Sequence, residues 1–267
     1  MKNIIAISGK MGSGKDTIGE IIQYISAESK IDMVSQNQSV SLEDLIKGKF
    51  KENSDWEIKK MAGKLKDIAC LLIGCTREQL EDREFKETPL GEEWWYWKIY
   101  GELVDYRSRN ISEFKEPIPE LIKPTPRLLL QLLGTECGRE IIHPNIWVNA
   151  LFADYKLTRP NSSLGDISLG MPNWIITDVR FPNEAKAIKD RGGIVIRVNR
   201  NPTLKIGALF TYKDGSKEVI TQKEHPSETG LDDYKDFDYV IENNGTIEDL
   251  YREVLIVMHK ERLLPMS

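Results

Sequence analysis

The sequence predicts an α/β fold in which a mostly parallel β-sheet is covered by helices on both faces. Short apolar runs typical of buried strands alternate along the chain with segments of helical periodicity. The distinctive polar motifs follow these runs directly, and parallel sheets bind ligands at the carboxyl ends of their strands. With 267 residues, the chain can form one large domain or a domain that carries a sizeable insertion.

Composition and charge exclude several classes of protein. The chain has 37 Lys and Arg residues against 42 Asp and Glu residues, a net charge of −5, which argues against binding a nucleic acid polymer. Its three cysteines, Cys70, Cys75 and Cys137, neither form a disulfide framework nor supply a zinc-binding pair. No apolar stretch approaches the ~20 residues of a membrane span, and no signal peptide is evident. We therefore expect a cytoplasmic protein with reduced thiols and no membrane partner.

The first half of the chain begins with a strand, a glycine-rich turn and a helix. These elements are predicted over residues 4–7, 9–14 and 15–25. Residues 29–56 are expected to form a loop with one short helix, and residues 61–73 an amphipathic helix that ends before Gly74.

A charged connector over 77–87 precedes the aromatic cluster Trp94–Trp97. Such a cluster could stack on a nucleotide, but aromatic residues at this density more often pack a small subdomain. Four prolines between 117 and 126 then exclude a helix through 115–126.

The second half alternates helices and strands. Helices are predicted from 128, over 146–155, over 183–190 and after 245; strands are predicted over 174–177, 193–198 and 239–241; loops are predicted over 158–172 and 200–236.

The stretch from Gly9 to Thr17 (GKMGSGKDT) is the most informative motif. It matches the G-x-x-x-x-G-K pattern, between a strand and a helix as the pattern requires. Glycines allow backbone N–H groups to converge on phosphate oxygens, and Lys15 adds a positive charge. The alternative is a glycine-rich turn without a ligand. Asp16 replaces the usual Ser or Thr that coordinates Mg²⁺, so either Asp16 through water or Thr17 through its hydroxyl could serve the metal.

A second acidic centre follows the strand predicted over 174–177. Asp178 lies where phosphate-loop proteins place an acidic residue, and Arg180 and Glu184 come shortly after it. The alternative for Asp178 is a helix N-cap.

These motifs form an ordered series, which continues through LQLLGTE at 130–136, Trp147-Val148, IITDVR at 175–180, HPSE at 225–228 and VIENNGT at 240–246. The series resembles the deoxynucleoside monophosphate kinases of tailed bacteriophages, in the P-loop nucleoside monophosphate kinase group. The resemblance covers 1–28 and 125–258 well. It is poorer over 29–124, where it rests on Leu65-Lys66 and the EDREFKE stretch at 81–87.

The resemblance implies transfer of the γ-phosphoryl group of ATP, with Mg²⁺, to a deoxynucleoside 5′-monophosphate. It implies a P-loop kinase fold whose core comprises 1–28 and 125–199 and whose C-terminal strand and helix lie in 237–267. A helical acceptor-binding insertion at 29–124 and a lid at 200–236 complete this division. The partner is thus a small molecule, and a homodimer remains open.

The site residues carried over fall into three groups. Donor binding is assigned to Gly12, Ser13, Gly14, Lys15, Asp16, Thr17, Asn243, Asn244 and Gly245; acceptor binding to Lys66, Arg127, Thr135, Arg139, Trp147, Arg180 and Glu184; and catalysis to Lys15, Asp16, Asp178 and Arg180. For Arg127 and Arg139 the alternative is a surface ion pair, and for Trp147 it is a place in the core.

Two other functions compete with this interpretation. Another small-molecule P-loop kinase, of the dephospho-coenzyme A or phosphomevalonate type, would share the phosphate loop and the turn at 243–245. A non-catalytic nucleotide-binding regulatory protein would share the loop but would not need a second basic cluster for an acceptor phosphate. The presence of such a cluster favours a kinase.

Overall fold

The computed structural model describes residues 2–28, 42, 54–107, 119–157, 170–200, 209–211, 217–219 and 229–264. The strands are β1 (Ile4–Gly9), β2 (Trp56–Lys59), β3 (Tyr96–Ile99), β4 (Glu102–Asp105), β5 (Glu120–Ile122), β6 (Asn173–Val179), β7 (Ile194–Asn199), β8 (Leu209–Thr211), β9 (Lys217–Val219) and β10 (Tyr239–Glu242). The helices are α1 (Lys15–Glu28), α2 (Gly63–Ile73), α3 (Arg77–Glu81), α4 (Arg83–Glu87), α5 (Pro126–Leu132), a π-helix (Leu133–Ile142), α6 (Ile146–Phe152), α7 (Pro182–Lys189) and α8 (Ile247–Lys260).

The chain divides into two compact units. Unit 1 comprises Met1–Met61 and Phe152–Ser267, and unit 2 comprises Ala62–Leu151. Residues 125–151, which the sequence assigns to the core, therefore belong to the same unit as the carboxyl-terminal part of the predicted insertion.

Unit 1 is built on a five-stranded sheet in the order β10-β7-β1-β6-β2, in which every pair is parallel. Because β1 lies at the centre and is covered on both faces, Ile4, Ile5 and Ile7 are fully buried. Ile5 and Ile7 join the core cluster that includes residues of α1 and α8, whereas α7 contacts β1 and β7. The predicted α/β class and its mostly parallel sheet are confirmed.

The edge strand β2 differs from the prediction of a loop over 29–56. Its four residues pair with β6, and Trp56 is buried beside Gln23, whose side-chain amide donates to the Trp56 carbonyl. The four residues of β2 alternate apolar and charged side chains, but a run this short is only a weak strand signal, and it was not recognised. The rest of this prediction lies mostly outside the described residues.

Unit 2 contains helices and a small antiparallel sheet in the order β4-β3-β5. The insertion at 29–124 is predicted to be helical. That prediction is wrong for β3, β4 and β5, because these three strands form the sheet. The predicted connector over 77–87 is also wrong, because Thr76 and Asp82 cap two short helices, α3 and α4. Two of the four residues of the aromatic cluster pack within the unit: the Tyr106 ring centroid lies 5.5 Å from that of Trp95 and 6.1 Å from that of Trp97.

The predicted helix from 128 begins two residues earlier, at Pro126, with Thr125 as its N-cap. It continues as a π-helix that buries Gly134 and Gly138. In the predicted lid, the described strands β8 and β9 form an antiparallel pair, while residues 201–208, 212–216 and 220–228, including His225, lie outside the described residues. Among the helices that the structure describes, none is long and apolar enough to cross a membrane.

Candidate nucleotide site

The phosphate loop connects the central strand β1 to α1. Gly12 and Gly14 have φ angles of 76° and 99°, a left-handed conformation that favours glycine. The amide of Ser13 donates to the Lys10 carbonyl at 3.1 Å, which closes the turn. The Lys15 ammonium donates to the carbonyls of Gly9 and Lys10 at 2.6 and 2.7 Å. The loop thus holds its lysine over the turn in the way that the motif predicts.

Close packing around the loop leaves one buried polar atom for a ligand. A Cβ atom at Gly9 would lie 2.5 Å from both the Val198 carbonyl oxygen and Ser13 Oγ, so the loop lies tightly against β7. Ser13 is 3% exposed, and its Oγ has no hydrogen-bond partner among the described residues. A buried hydroxyl of this kind is available to a phosphate oxygen.

The turn predicted to bind the adenine base contacts the loop itself. Asn243 Nδ2 donates to the Ser13 carbonyl at 2.8 Å, and a Cβ atom at Gly14 would clash with that amide. The Asn244 amide donates to the Glu242 carbonyl at 3.0 Å, and Gly245 leads into the Thr246 cap of α8. The Asn243 side chain therefore ties the turn after β10 to the phosphate loop.

Asp16, at the first turn of α1, has two partners from neighbouring strands. Thr177 Oγ1 donates to Asp16 Oδ1 at 2.7 Å, and Lys60 Nζ lies 3.2 Å from the same oxygen. Partial burial raises the pKa of Asp16, but the Thr177 hydrogen bond and the charges of Lys60 and Lys15 outweigh it and hold the pKa below its usual value. The carboxylate is therefore ionised at neutral pH.

Asp178 lies within β6, one residue before its end, rather than after the strand. Its Oδ1 accepts the Met61 amide at 2.7 Å. The alternative of an N-cap for Asp178 is wrong, because α7 begins at Pro182 with Phe181 at the cap position.

Glu184 has a structural role at the start of α7. It is 1% exposed, and its Oε2 accepts the amides of Arg180 and Phe181 at 2.7 and 3.1 Å. These contacts fix the backbone of Arg180 at the carboxyl end of β6. The acceptor-binding role of Glu184 stays a prediction.

Two basic residues at this end of the sheet were missed by the sequence analysis. Lys60 follows β2, which was not predicted, so no signal marked it. Arg197 interrupts an apolar strand, which is a signal for a functional residue, and its side chain is 13% exposed. It donates to Asp232 at 2.9 Å and to Ser8 Oγ at 3.3 Å, while Lys10 of the phosphate loop lies 3.3 Å from the same Asp232 carboxylate.

In unit 2, two of the cations predicted to bind the acceptor form ion pairs. Lys66 on α2 pairs with Glu81, and Arg127 on α5 pairs with Glu87. A surface ion pair was the alternative for Arg127, and its contact with Glu87 agrees with that alternative. Thr135 and Arg139 lie four residues apart on the π-helix.

Trp147 is buried in unit 2. It is 5% exposed, and its Nε1 donates to the Gly134 carbonyl of the π-helix at 2.8 Å. Its ring also lies so close to Gly138 that a Cβ atom there would be 2.9 Å from Cζ2. The structure thus supports a packing role for Trp147, and stacking on a base stays a prediction.

Unit 1 therefore carries the residues predicted to bind the donor, together with Asp178 and Arg180, which were predicted to act in catalysis. The phosphate loop, Asp178, Arg180 and Asn243 meet at the carboxyl ends of β1, β6 and β10, as expected for a parallel sheet. Unit 2 carries Lys66, Arg127, Thr135, Arg139 and Trp147.

Comparison with known proteins places the chain in a family. A family model described as deoxynucleotide monophosphate kinase matches residues 104–254. The chain belongs to this family. It is therefore a nucleotide kinase, a transferase that acts on a small-molecule nucleotide and takes its phosphoryl group from a nucleotide donor.

Two similar proteins carry related names. The chain is 25% identical over 250 residues to the deoxynucleoside-5′-monophosphate kinase of Escherichia phage T5, with 86% of each chain covered. It is 29% identical over 164 residues to a putative deoxynucleotide monophosphate kinase of Acanthamoeba polyphaga mimivirus, with 57% of this kinase and 72% of the relative covered. The predicted phage-type resemblance is confirmed.

Proposed function

We propose that this kinase transfers the γ-phosphoryl group of ATP directly to a deoxynucleoside 5′-monophosphate, giving ADP and the deoxynucleoside diphosphate. The observation that carries the proposal is the phosphate loop at the centre of the sheet. There, Lys15 spans two carbonyls of the turn and the buried Ser13 hydroxyl lacks a partner among the described residues. Membership of a family described as deoxynucleotide monophosphate kinase supports the proposed acceptor class.

The loop suits the donor phosphates on three counts. Its amides lie at the amino terminus of α1, where the helix dipole favours an anion. Lys15 can exchange its two carbonyl contacts for the β- and γ-phosphates, because a phosphate is a stronger partner for an ammonium than a neutral carbonyl. The Ser13 hydroxyl, which has no partner among the residues that the structure describes, can bind a phosphate oxygen. Gly12, Gly14 and Thr17 complete this set, and Asn243, Asn244 and Gly245 form the turn proposed to contact the adenine.

The carboxylate chemistry at this end of the sheet is compatible with Mg²⁺. The described residues include no cluster of three or more His, Cys, Asp or Glu side chains able to enclose a metal ion. Mg²⁺ commonly keeps several waters and binds through one or two carboxylates plus substrate phosphates. Asp16, ionised and exposed, with Thr17 beside it, fits that mode. Bound there, Mg²⁺ would neutralise charge on the donor phosphates.

The acceptor is proposed to bind through Lys66, Arg127, Thr135 and Arg139, together with Trp147, Glu184 and Arg180. The ion pairs of Lys66 with Glu81 and of Arg127 with Glu87 are partly exposed, and such pairs contribute ~0–1 kcal/mol. A phosphate dianion can therefore displace either carboxylate. In this scheme 29–124 is the acceptor-binding insertion and 200–236 the lid.

The transfer needs no strong general base. The second pKa of a phosphate monoester is about 6, so the acceptor oxygen is already ionised at neutral pH. That oxygen forms the new bond to the γ-phosphorus while the bond from the γ-phosphorus to the bridging oxygen breaks, and ADP leaves. The residues of the chain contribute by orienting the two nucleotides and by neutralising charge, with Lys15 and Arg180 as the cations and Asp16 and Asp178 fixed by hydrogen bonds.

The test measures ADP release with ATP, Mg²⁺ and each deoxy- and ribonucleoside monophosphate in turn. We expect turnover with deoxynucleoside monophosphates and a loss of about 100-fold or more in Lys15→Ala, because the variant lacks the charge at the transferring phosphate. Lys59→Ala is the matched control, since Lys59 pairs with Glu57 away from the loop. Turnover only with dephospho-coenzyme A or phosphomevalonate would contradict the proposed acceptor. ATP binding without turnover on any acceptor would contradict the proposed reaction.

A further inference from the structure

Helix α2 ends in a backbone motif that brings two cysteines together. Gly74 adopts a left-handed conformation with φ 67°, and its amide donates to the Cys70 carbonyl. The Cys75 amide donates to the same carbonyl at 3.2 Å. This reversal after a helix is the Schellman type, in which the side chains of the first and last residues of the six-residue turn meet.

The pair of side chains that meets in such a turn is frequently apolar, whereas here both members are thiols. Cys75 Sγ lies 3.8 Å from Cys70 Sγ, at hydrogen-bond distance for sulfur. Both side chains are partly exposed, so a small reagent can reach them. The third cysteine, Cys137, lies in the π-helix.

We propose that Cys70 and Cys75 form a dithiol site that low-molecular-weight disulfides, such as oxidised glutathione, convert into an intramolecular disulfide. The site is a modification site, and it uses no residue of the phosphate loop and no residue proposed to bind the acceptor.

The reaction proceeds by two thiol–disulfide exchanges. One cysteine thiolate attacks a sulfur of oxidised glutathione, which forms a mixed disulfide and releases one glutathione thiolate. The other cysteine thiolate then attacks the protein sulfur of the mixed disulfide, which closes the Cys70–Cys75 bond and releases the second glutathione. The two cysteines lose two protons and two electrons, and the oxidised glutathione takes them up as two molecules of reduced glutathione.

The backbone favours the second exchange over any other fate of the mixed disulfide. A disulfide bond is about 2.05 Å long, so the two sulfurs must approach by roughly 1.8 Å from the observed 3.8 Å. The Gly74 turn already holds the two residues side by side, which makes the closing step effectively unimolecular. Burial and the neighbouring Cys70 raise the pKa of the Cys75 thiol, so a mildly alkaline buffer speeds the exchange.

The disulfide would join the end of α2 to the residue before the Thr76 cap of α3. The same two helices are already linked by Arg77, which donates to the Gly63 carbonyl at 3.0 Å and lies 3.3 Å from Asp67. The bond would thus fix a contact that the reduced protein already makes.

The experiment incubates the full chain with oxidised glutathione, blocks remaining thiols with an alkylating reagent and analyses tryptic peptides by mass. Trypsin cleaves after Lys66 and Arg77, which places Cys70 and Cys75 in one peptide, and after Arg127 and Arg139, which places Cys137 in another. We expect the 67–77 peptide to lose the mass of two hydrogens and to escape alkylation. The half-time of this disulfide formation should be at least ~10-fold shorter than the half-time of glutathione addition to Cys137.

Three variants separate the outcomes. Cys70→Ser and Cys75→Ser should each stop at a mixed disulfide on the remaining cysteine, and Cys137→Ser should behave like the wild type. A mixed disulfide that persists in the wild-type 67–77 peptide would overturn the proposal. So would equal reaction of all three cysteines. Circular dichroism of each variant before oxidation shows whether it is folded, and the readout does not depend on kinase activity.

Discussion

Asp16 is the residue at which this phosphate loop departs from the usual pattern. Its two contacts explain how a carboxylate is accommodated at that position. A bare carboxylate beside the donor phosphates would repel them. Thr177 donates to it at 2.7 Å, and Lys60 lies 3.2 Å away at the end of the edge strand. The two partners keep the carboxylate ionised and offset its charge, so Asp16 can stay next to Lys15 in an anion-binding loop.

Replacing Lys60 should therefore raise the pKa of Asp16 and slow turnover. In Lys60→Met the pKa of Asp16 rises toward its ordinary value, because the largest opposing charge is removed. The rate at neutral pH should fall about fivefold, as expected for an exposed ion pair worth ~1 kcal/mol. A carbon NMR titration of the Asp16 carboxyl group measures the change in pKa, and steady-state rates at neutral pH measure the change in turnover.

Lys59→Met provides the matched control for this variant. Lys59 precedes Lys60 in the chain, pairs with Glu57 and lies over the Trp174 ring. It should leave the pKa of Asp16 unchanged. An unchanged pKa of Asp16 in Lys60→Met, with wild-type rates, would show that Lys60 does not influence Asp16.

At the scale of elements, the π-helix and Trp147 form one packed feature of unit 2. The indole N–H satisfies the Gly134 carbonyl, and the ring covers Gly138, where no side chain would fit. Wide helical turns of this kind are uncommon and recur at functional sites. Thr135 and Arg139, both proposed to bind the acceptor, lie on this helix, so Trp147 supports the backbone that presents them.

Two glycine substitutions on this helix should differ in their effect. A Cβ atom at Gly138 would lie 2.5 Å from the Leu133 carbonyl oxygen and 2.9 Å from the Trp147 ring. At Gly134 it would meet only the end of the flexible Leu65 side chain, at 3.0 Å. Gly138→Ala should therefore lower the free energy of unfolding by about 1–3 kcal/mol more than Gly134→Ala. Urea denaturation measures the difference, and equal values would contradict this packing.

Strands and helices with a clear apolar period were predicted from the sequence, and short charged ones were not. The buried strands β1, β6 and β7 and the helix α2 were predicted because apolar periodicity and glycine turns mark them. The strand β2 and the helices α3 and α4 were missed because each has only four or five residues and many charges. The same holds for the site. Lys15, Asp16 and Asp178 were predicted because they belong to motifs, whereas Lys60 was missed because the strand that positions it, β2, was not predicted.

At the scale of the whole sheet, the edge strand β10 is fastened to both the amino terminus and α8. Tyr239 of β10 donates its hydroxyl to Glu261 at 2.7 Å, and Lys2 lies 2.6 Å from the same carboxylate. The hydrogen bond to Glu261, together with burial and nearby negative charge, raises the pKa of Tyr239 to about 12. Burial raises the pKa of Glu261, but Lys2 and Tyr239 outweigh it and lower the pKa overall.

This contact predicts a stability effect in alkaline solution. Because the Tyr239 pKa is higher in the folded state than the ordinary value of about 10, its contribution is fully present below pH ~10. It is lost as the pH rises through about 12. Tyr239→Phe should therefore be less stable than the wild type at neutral pH, and the difference should shrink across that range.

Urea denaturation at a series of pH values measures the Tyr239 effect. Glu261→Gln serves as the control, since it removes the anion that accepts the hydrogen bond and should abolish the same pH-dependent component. A constant difference between wild type and Tyr239→Phe from neutral pH to pH ~12 would rule out this contact as its source.

The central claim for the whole molecule is transfer of one phosphoryl group from one nucleotide to another. Incubation of the kinase with ATP labelled in its γ-phosphate and a deoxynucleoside monophosphate, followed by separation of the products, measures it most directly. We predict that the label appears in the deoxynucleoside diphosphate in proportion to the ADP formed, and that Lys15→Ala forms both products at least about 100-fold more slowly. Label released only as inorganic phosphate, or label retained in ATP with every acceptor, would contradict the claim.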